Sequence, residues 1–171
     1  MNIKETLLRD RSKATCERIV AYIDYDTRKC QEWADCFFSN NSILSQKAAW
    51  VLHFITDETP EMVEVYQNDF LNKLKETDLH DAVVRAICRH WGEHGFPEDI
   101  EGDVYDVCLK YLQDSSSIAI KAHAMYACNR LAQKYPELKQ EFKLVLEELM
   151  LKYGDESPAI RSRSSKLLKR L

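Results

Sequence analysis

Residues 119–123 read Ala-Ile-Lys-Ala-His, and the same pattern returns as Ser-Gln-Lys-Ala-Ala at 45–49, Val-Val-Arg-Ala-Ile at 83–87 and Ala-Ile-Arg-Ser-Arg at 159–163. Each copy is anchored on one basic residue, and successive anchors Lys47, Arg85, Lys121 and Arg161 lie 38, 36 and 40 residues apart. A fainter copy stands at Lys13-Ala14. Self-similarity at a period of roughly 20–50 residues is the signature of a repeat architecture, in which each unit buries its apolar face against the next.

Working outward from the anchors, three features recur. The following residue is always small (Ala48, Ala86, Ala122, Ser162), which suits two helices in close approach. Six or seven residues earlier stands a short polar side chain (Asn41, Asp78, Asp114, Asp155) able to cap a turn and to hydrogen-bond a basic neighbour. In the later copies the positions one before and three, six, seven and ten after the anchor form an apolar stripe: Ile120, Ala124, Ala127, Cys128 and Leu131, then Ile160, Ser164, Leu167, Leu168 and Leu171. The first copy departs there, with Gln46, His53 and Asp57.

Between the anchored segments, apolar residues recur at spacings of three and four, as in Leu44, Ala48, Val51, Ile55 and in Phe142, Val145, Leu149. Each such run predicts an amphipathic helix, and no segment alternates with period two for long enough to argue a strand. Helix starts are expected at Ser12, Asp26, Asn41 or Ser42, Thr59-Pro60, Asp78, Ser115 or Ser116, and Ser157-Pro158. With only four Gly and four Pro in 171 residues, turn-rich β folds are disfavoured and one all-α domain is expected.

A helix, a tight turn with an acidic residue, then Val/Ile-Arg/Lys-x-x-Ala opening a second helix resembles the HEAT repeat. The resemblance covers residues 26–171 as hairpins 26–56, 60–95, 97–135 and 136–171, with a capping helix at 12–24 before them. It implies an α-α superhelix of about four hairpins. The chain also looks like short bacterial HEAT-like proteins, some of which carry the label adenylosuccinate lyase. That lyase is a far longer bundle with a serine-rich signature loop, whereas Asp114-Ser115-Ser116-Ser117 reads as a helix cap.

No segment reaches the ~20 apolar residues needed to span a bilayer, and Met1 to Lys13 has no signal-peptide core, so a cytoplasmic location is expected. The six cysteines include no C-x-x-C pair and read as reduced, buried side chains. Charge is asymmetric: residues 1–109 hold 12 basic and 21 acidic side chains, net −9, while 110–171 hold 12 basic and 7 acidic, net +5.

In HEAT-like arrays the second helix of each hairpin lines the concave face. Positions two, five and nine after the anchors read Ala49, Leu52, Thr56, then Ile87, His90, His94, then His123, Tyr126, Arg130, then Arg163, Lys166, Arg170. That face passes from apolar through histidine to strongly basic, and His90 to Arg170 are the expected partner-binding residues. His90-Trp91-Gly92-Glu93-His94 also reads H-x-x-E-H, two histidines one helical turn apart with a glutamate able to activate water on a metal. Gly92 weakens a helix where ligands must be rigid. The acidic run Glu98, Asp99, Glu101, Asp103, Asp106 is expected to complement a helix N-terminus, and Trp33, Trp50 and Trp91 fall in apolar stripes and are expected in the core. No Gly-rich phosphate loop or G-x-S-x-G elbow is present. The expected function is a non-catalytic scaffold binding another protein through its concave or basic C-terminal face. A nucleic-acid-binding or base-repair protein is the alternative, and a metal-dependent hydrolase at 90–94 the third reading. No cofactor, resident metal or membrane is expected, nucleic acid is not the expected partner, and the sequence names no small-molecule substrate.

Overall fold

The computed structural model describes residues 1–115 and 117–171. Ser116, one of the expected capping serines, lies outside the described residues. Among those described, all regular structure is helical: α1 (Ile3–Arg9), α2 (Lys13–Ile23), α3 (Thr27–Phe37), α4 (Ser42–Glu58), α5 (Gln67–Leu74), α6 (Asp81–His94), α7 (Glu101–Asp114), α8 (Ile118–Lys134), α9 (Lys139–Tyr153) and α10 (Pro158–Leu168). Short 3₁₀ turns at Pro60–Tyr66, Glu98–Ile100 and Pro136–Leu138 lead into α5, α7 and α9. The chain forms two compact units, Met1–His90 and Trp91–Leu171, with the boundary inside α6.

Local chemistry explains most helix starts. Ser12, Asp26, Asn41 and Ser157 each accept first-turn amides, from Thr15, from Arg28 and Lys29, from Leu44 and from Ile160 respectively. Three expectations fail. Thr59 caps nothing, its hydroxyl buried and without a hydrogen-bond partner. Asp78 lies in the left-handed region (φ 60°) two residues ahead of His80, whose Nδ1 accepts the Ala82 amide and so opens α6. Ser117, not Ser115, stands at the start of α8, and its side chain makes no capping bond. A helix absent from the sequence reading, α1, is capped by Asn2 and buries Ile3 and Leu7, four apart, against α3 and α4. Seven residues give too short a periodic run to register.

In the first unit, Trp33, Phe37 and Phe70 are fully buried and their rings meet, Trp33–Phe37 at 5.3 Å and Phe37–Phe70 at 5.6 Å. The Trp33 indole donates to Ala48 O at 3.0 Å, joining α3 to α4 through the small residue after the first anchor. Trp50 departs from the core expectation: it is 38% exposed, with the Arg11 guanidinium 5.4 Å from its ring. In the second unit α7 pairs with α8 and α9 with α10, and α8 also packs on α10. The stripe from Ile120 to Leu131 is buried, as are Ile160, Ser164 and Leu167. Each large apolar side chain taken fully from water contributes about 1.5–3 kcal/mol.

Hydrogen bonds between elements fall about one repeat apart in sequence. Tyr66 reaches Gln31 (35 residues), Thr56 meets His90 (34), Tyr105 donates to Glu141 (36) and Arg163 donates to Ala122 O (41). Nearest-neighbour stacking of like elements produces this separation.

Three of the four anchors work through backbone carbonyls rather than carboxylates. Lys47 donates to Leu8 O (2.9 Å) in the last turn of α1. Lys121, fully buried, donates to Leu112 O and Gln113 O in the last turn of α7, and Arg161 donates to Gly154 O (2.8 Å) and Asp155 O (3.3 Å) just beyond α9. The last four carbonyls of a helix lack intrahelical partners and carry the negative end of its dipole, so a cation there answers both needs. Asn41 serves instead as the α4 cap, and Asp114 faces Lys121 electrostatically, countering the downward push on its pKa from burial and from Lys152. The buried Arg85 Nε has no hydrogen-bond partner among the described residues.

Candidate partner-binding face

The graded face divides on inspection of burial. Ala49, Leu52, Thr56, Ile87 and His90 are buried, so the early copies present no surface at those positions. His90 is the clearest correction: at 2% exposure its Nδ1 lies 3.2 Å from Thr56 Oγ1 and its Nε2 3.0 Å from the Gln67 amide nitrogen. Because the Gln67 nitrogen can only donate, His90 Nε2 accepts and Nδ1 carries the proton toward Thr56. This imidazole joins α4, α5 and α6 and cannot meet a partner. Among the described residues no three His, Cys, Asp or Glu side chains are grouped to hold a metal ion.

The remaining expected residues all belong to the second unit. His94, Arg130, Lys166 and Arg170 are exposed, while His123, Tyr126 and Arg163 are partly exposed. The Arg163 guanidinium carbon sits 5.4 Å from the Tyr126 ring centroid and its Nη1 donates to Ala122 O at 2.5 Å. Farther along, Gln133 donates to Arg170 O at 3.2 Å. Residue numbers rise together across these contacts, so α8 and α10 run parallel and side by side.

Charge separates between the helix pairs of this unit. Neither α8 nor α10 contains an Asp or Glu, whereas α7 carries Glu101, Asp103, Asp106 and Asp114 and α9 carries Glu141, Glu147 and Glu148. Lys121 and Arg161 are spent on helix ends. Lys134 is spent on Glu98 (2.8 Å) and Glu101 (2.9 Å), whose hydrogen bonds raise its pKa. Glu101 in turn is pushed up by burial but held lower overall by Tyr135, at 2.6 Å, and by Lys134. That leaves Arg130, Arg163, Lys166, Lys169 and Arg170 to charge the surface, with Tyr126 beside Arg163. Planar guanidinium donors beside an aromatic ring suit carboxylates or phosphates on a protein surface.

A family model described as a HEAT repeat domain matches residues 3–171. The chain belongs to the HEAT repeat family. No curated protein and no solved structure matches it. Within this HEAT chain Lys121 ties α8 to the end of α7, and Arg161 ties α10 to the end of α9. Gly92, the helix-weakening residue of α6, has its own packing reason in this HEAT chain. A Cβ there would stand 2.8 Å from Tyr126 Cβ, so the glycine admits the residue that holds Arg163. No helix of the described residues is long and apolar enough to cross a membrane.

Proposed function

We propose that the chain is a non-catalytic scaffold whose hairpins 26–56, 60–95, 97–135 and 136–171 act as one array and bind an acidic protein partner. The binding face is formed by α8 and α10, with Arg130, Arg163, Lys166, Arg170, His123 and Tyr126 as its contacts. The single observation that carries this reading is the absence of any acidic residue from two adjacent, parallel helices in a chain of net charge −4. Uniform solubilising charge would have mixed both signs on each helix, whereas a one-signed face steers and orients an oppositely charged partner. All six cysteines are buried thiols, which supports a reducing, cytoplasmic setting.

Fluorescence anisotropy with a labelled poly-glutamate peptide tests the face. Because the whole protein is negative, long-range attraction cannot produce binding, and only a local cationic surface can. Saturable binding at low salt, weakened by salt and lost in a Lys166→Glu/Arg170→Glu variant with an unchanged melting temperature, is the expected result. Binding that survives the double substitution overturns the assignment. A mobility shift of duplex DNA stronger than peptide binding under the same conditions would favour the nucleic-acid alternative.

A further inference from the structure

Beside this face, the second unit holds a cleft of about 410 Å³, a volume within the range of small-ligand sites. Its walls include Gly95 and Phe96, which follow α6, and Asn129, Arg130 and Leu131 of α8. Gly95 adopts φ +88°, a conformation that disfavours any side chain, and a Cβ there would lie 2.8 Å from Arg130 Nη2. The tight turn therefore lets the guanidinium lie directly against backbone at the rim of the cleft.

The polar groups of the walls differ in how far they are satisfied. Glu101 and Lys134 saturate each other, together with Tyr135 and Glu98. Arg130 makes only a long contact to Gly92 O at 3.5 Å and, among the described residues, no ion pair. Asn129 Oδ1 is buried with no hydrogen-bond partner, a state that ordinarily destabilises a fold. One orphan acceptor thus adjoins an uncommitted guanidinium, with apolar surface from Phe96, which is braced edge-on against Trp91 at 5.9 Å, and from Leu131.

From this juxtaposition we infer that the cleft binds a carboxylate flanked by an N–H group and an apolar side chain, the chemistry of a peptide C-terminus or of a single N-acylated amino acid. Arg130 takes the carboxylate through paired N–H donors, the Asn129 side chain rotates to bring its buried Oδ1 to the adjacent N–H, and the ligand's side chain lies on Phe96 and Leu131. The inference goes beyond the acidic-partner reading, shares only Arg130 with its contacts, and stands if that reading fails.

The test uses the full chain and a pool of fluorescein-labelled pentapeptides with apolar last residues, made once with a free C-terminal carboxylate and once amidated. The free-acid pool binds saturably and the amidated pool binds at least about tenfold more weakly, the loss of one charge-assisted pairing. Asn129→Leu removes the orphan acceptor at nearly constant volume, so it abolishes peptide binding while the melting temperature holds or rises. That combination separates a ligand-binding role from a structural one, for which melting temperature would fall. Arg130→Gln loses binding too, whereas Lys166→Glu/Arg170→Glu, which removes the acidic-partner face, leaves it intact. Displacement by millimolar N-acetyl-leucine assigns recognition to the terminal residue alone, and failure to displace assigns it to a longer peptide. Equal binding of the two pools, or peptide binding unaffected by Asn129→Leu, overturns the inference.

Discussion

At His53 a single proton is tied to the fold. Burial first, then the Arg89 and Arg85 charges, push its pKa down to about 4, against Asp57, which pulls it up. The geometry agrees, since Arg89 Nη1 stands 3.1 Å from His53 Nδ1 and a guanidinium can only donate, so the ring is neutral and accepts. The same arginine pairs with Asp57 at 2.6 Å. A depressed histidine pKa means that the unfolded chain takes up a proton before the folded one does. Stability contributed by neutral His53 is therefore complete above the ordinary value of 6.5 and is lost as pH falls toward about 4. Urea unfolding across that window should show a loss that His53→Gln reduces by about 1–3 kcal/mol. Equal slopes for the two proteins would contradict it. Gly92→Ala drives a methyl into Tyr126 and should cost about 1–3 kcal/mol by the same measurement. The sequence flagged both residues, yet only as irregularities. His53 and Asp57 broke an apolar stripe and Gly92 broke a helix, and nothing in the linear pattern gave Arg89 or Tyr126 as the reason.

Among elements, the helices themselves were legible because they rest on local signals: caps at Ser12, Asp26, Asn41 and Ser157, and apolar periodicity on each helix. What the anchors do was less legible, because a basic residue near a helix start has no partner within its own helix. Lys121 reaches back to the carbonyls that end α7, and Arg161 to those that end α9. Lys121→Met keeps the buried stem but strands the Leu112 and Gln113 carbonyls and removes the cation from the Tyr153 ring, 5.4 Å away. Thermal and urea unfolding should show a loss of about 1–3 kcal/mol. No change in stability would demote the anchor to a space-filling role. The position of His90 shows the opposite failing, a period-based face assignment overruled by burial: counting five residues from Arg85 gives a helix face, but not whether a neighbouring helix covers it.

For the whole molecule, the charge asymmetry seen in the sequence, −9 before residue 110 and +5 after it, becomes a finer division inside the second unit, with basic α8 and α10 beside acidic α7 and α9. The basic end lies in the linear charge pattern, whereas the spending of Lys121, Lys134 and Arg161 on structure, which narrows the surface to a few arginines and lysines, arises only when the chain folds. In a HEAT repeat chain the framework residues recur, and Arg130, Arg163, Lys166 and Arg170, the residues of the proposed face, are among those that differ between copies. The most direct test is affinity capture by wild type beside the Lys166→Glu/Arg170→Glu variant, matched in melting temperature and read by quantitative mass spectrometry. The account predicts that proteins with acidic segments, eluted from wild type by moderate salt, disappear from the variant. Identical captured sets would contradict it.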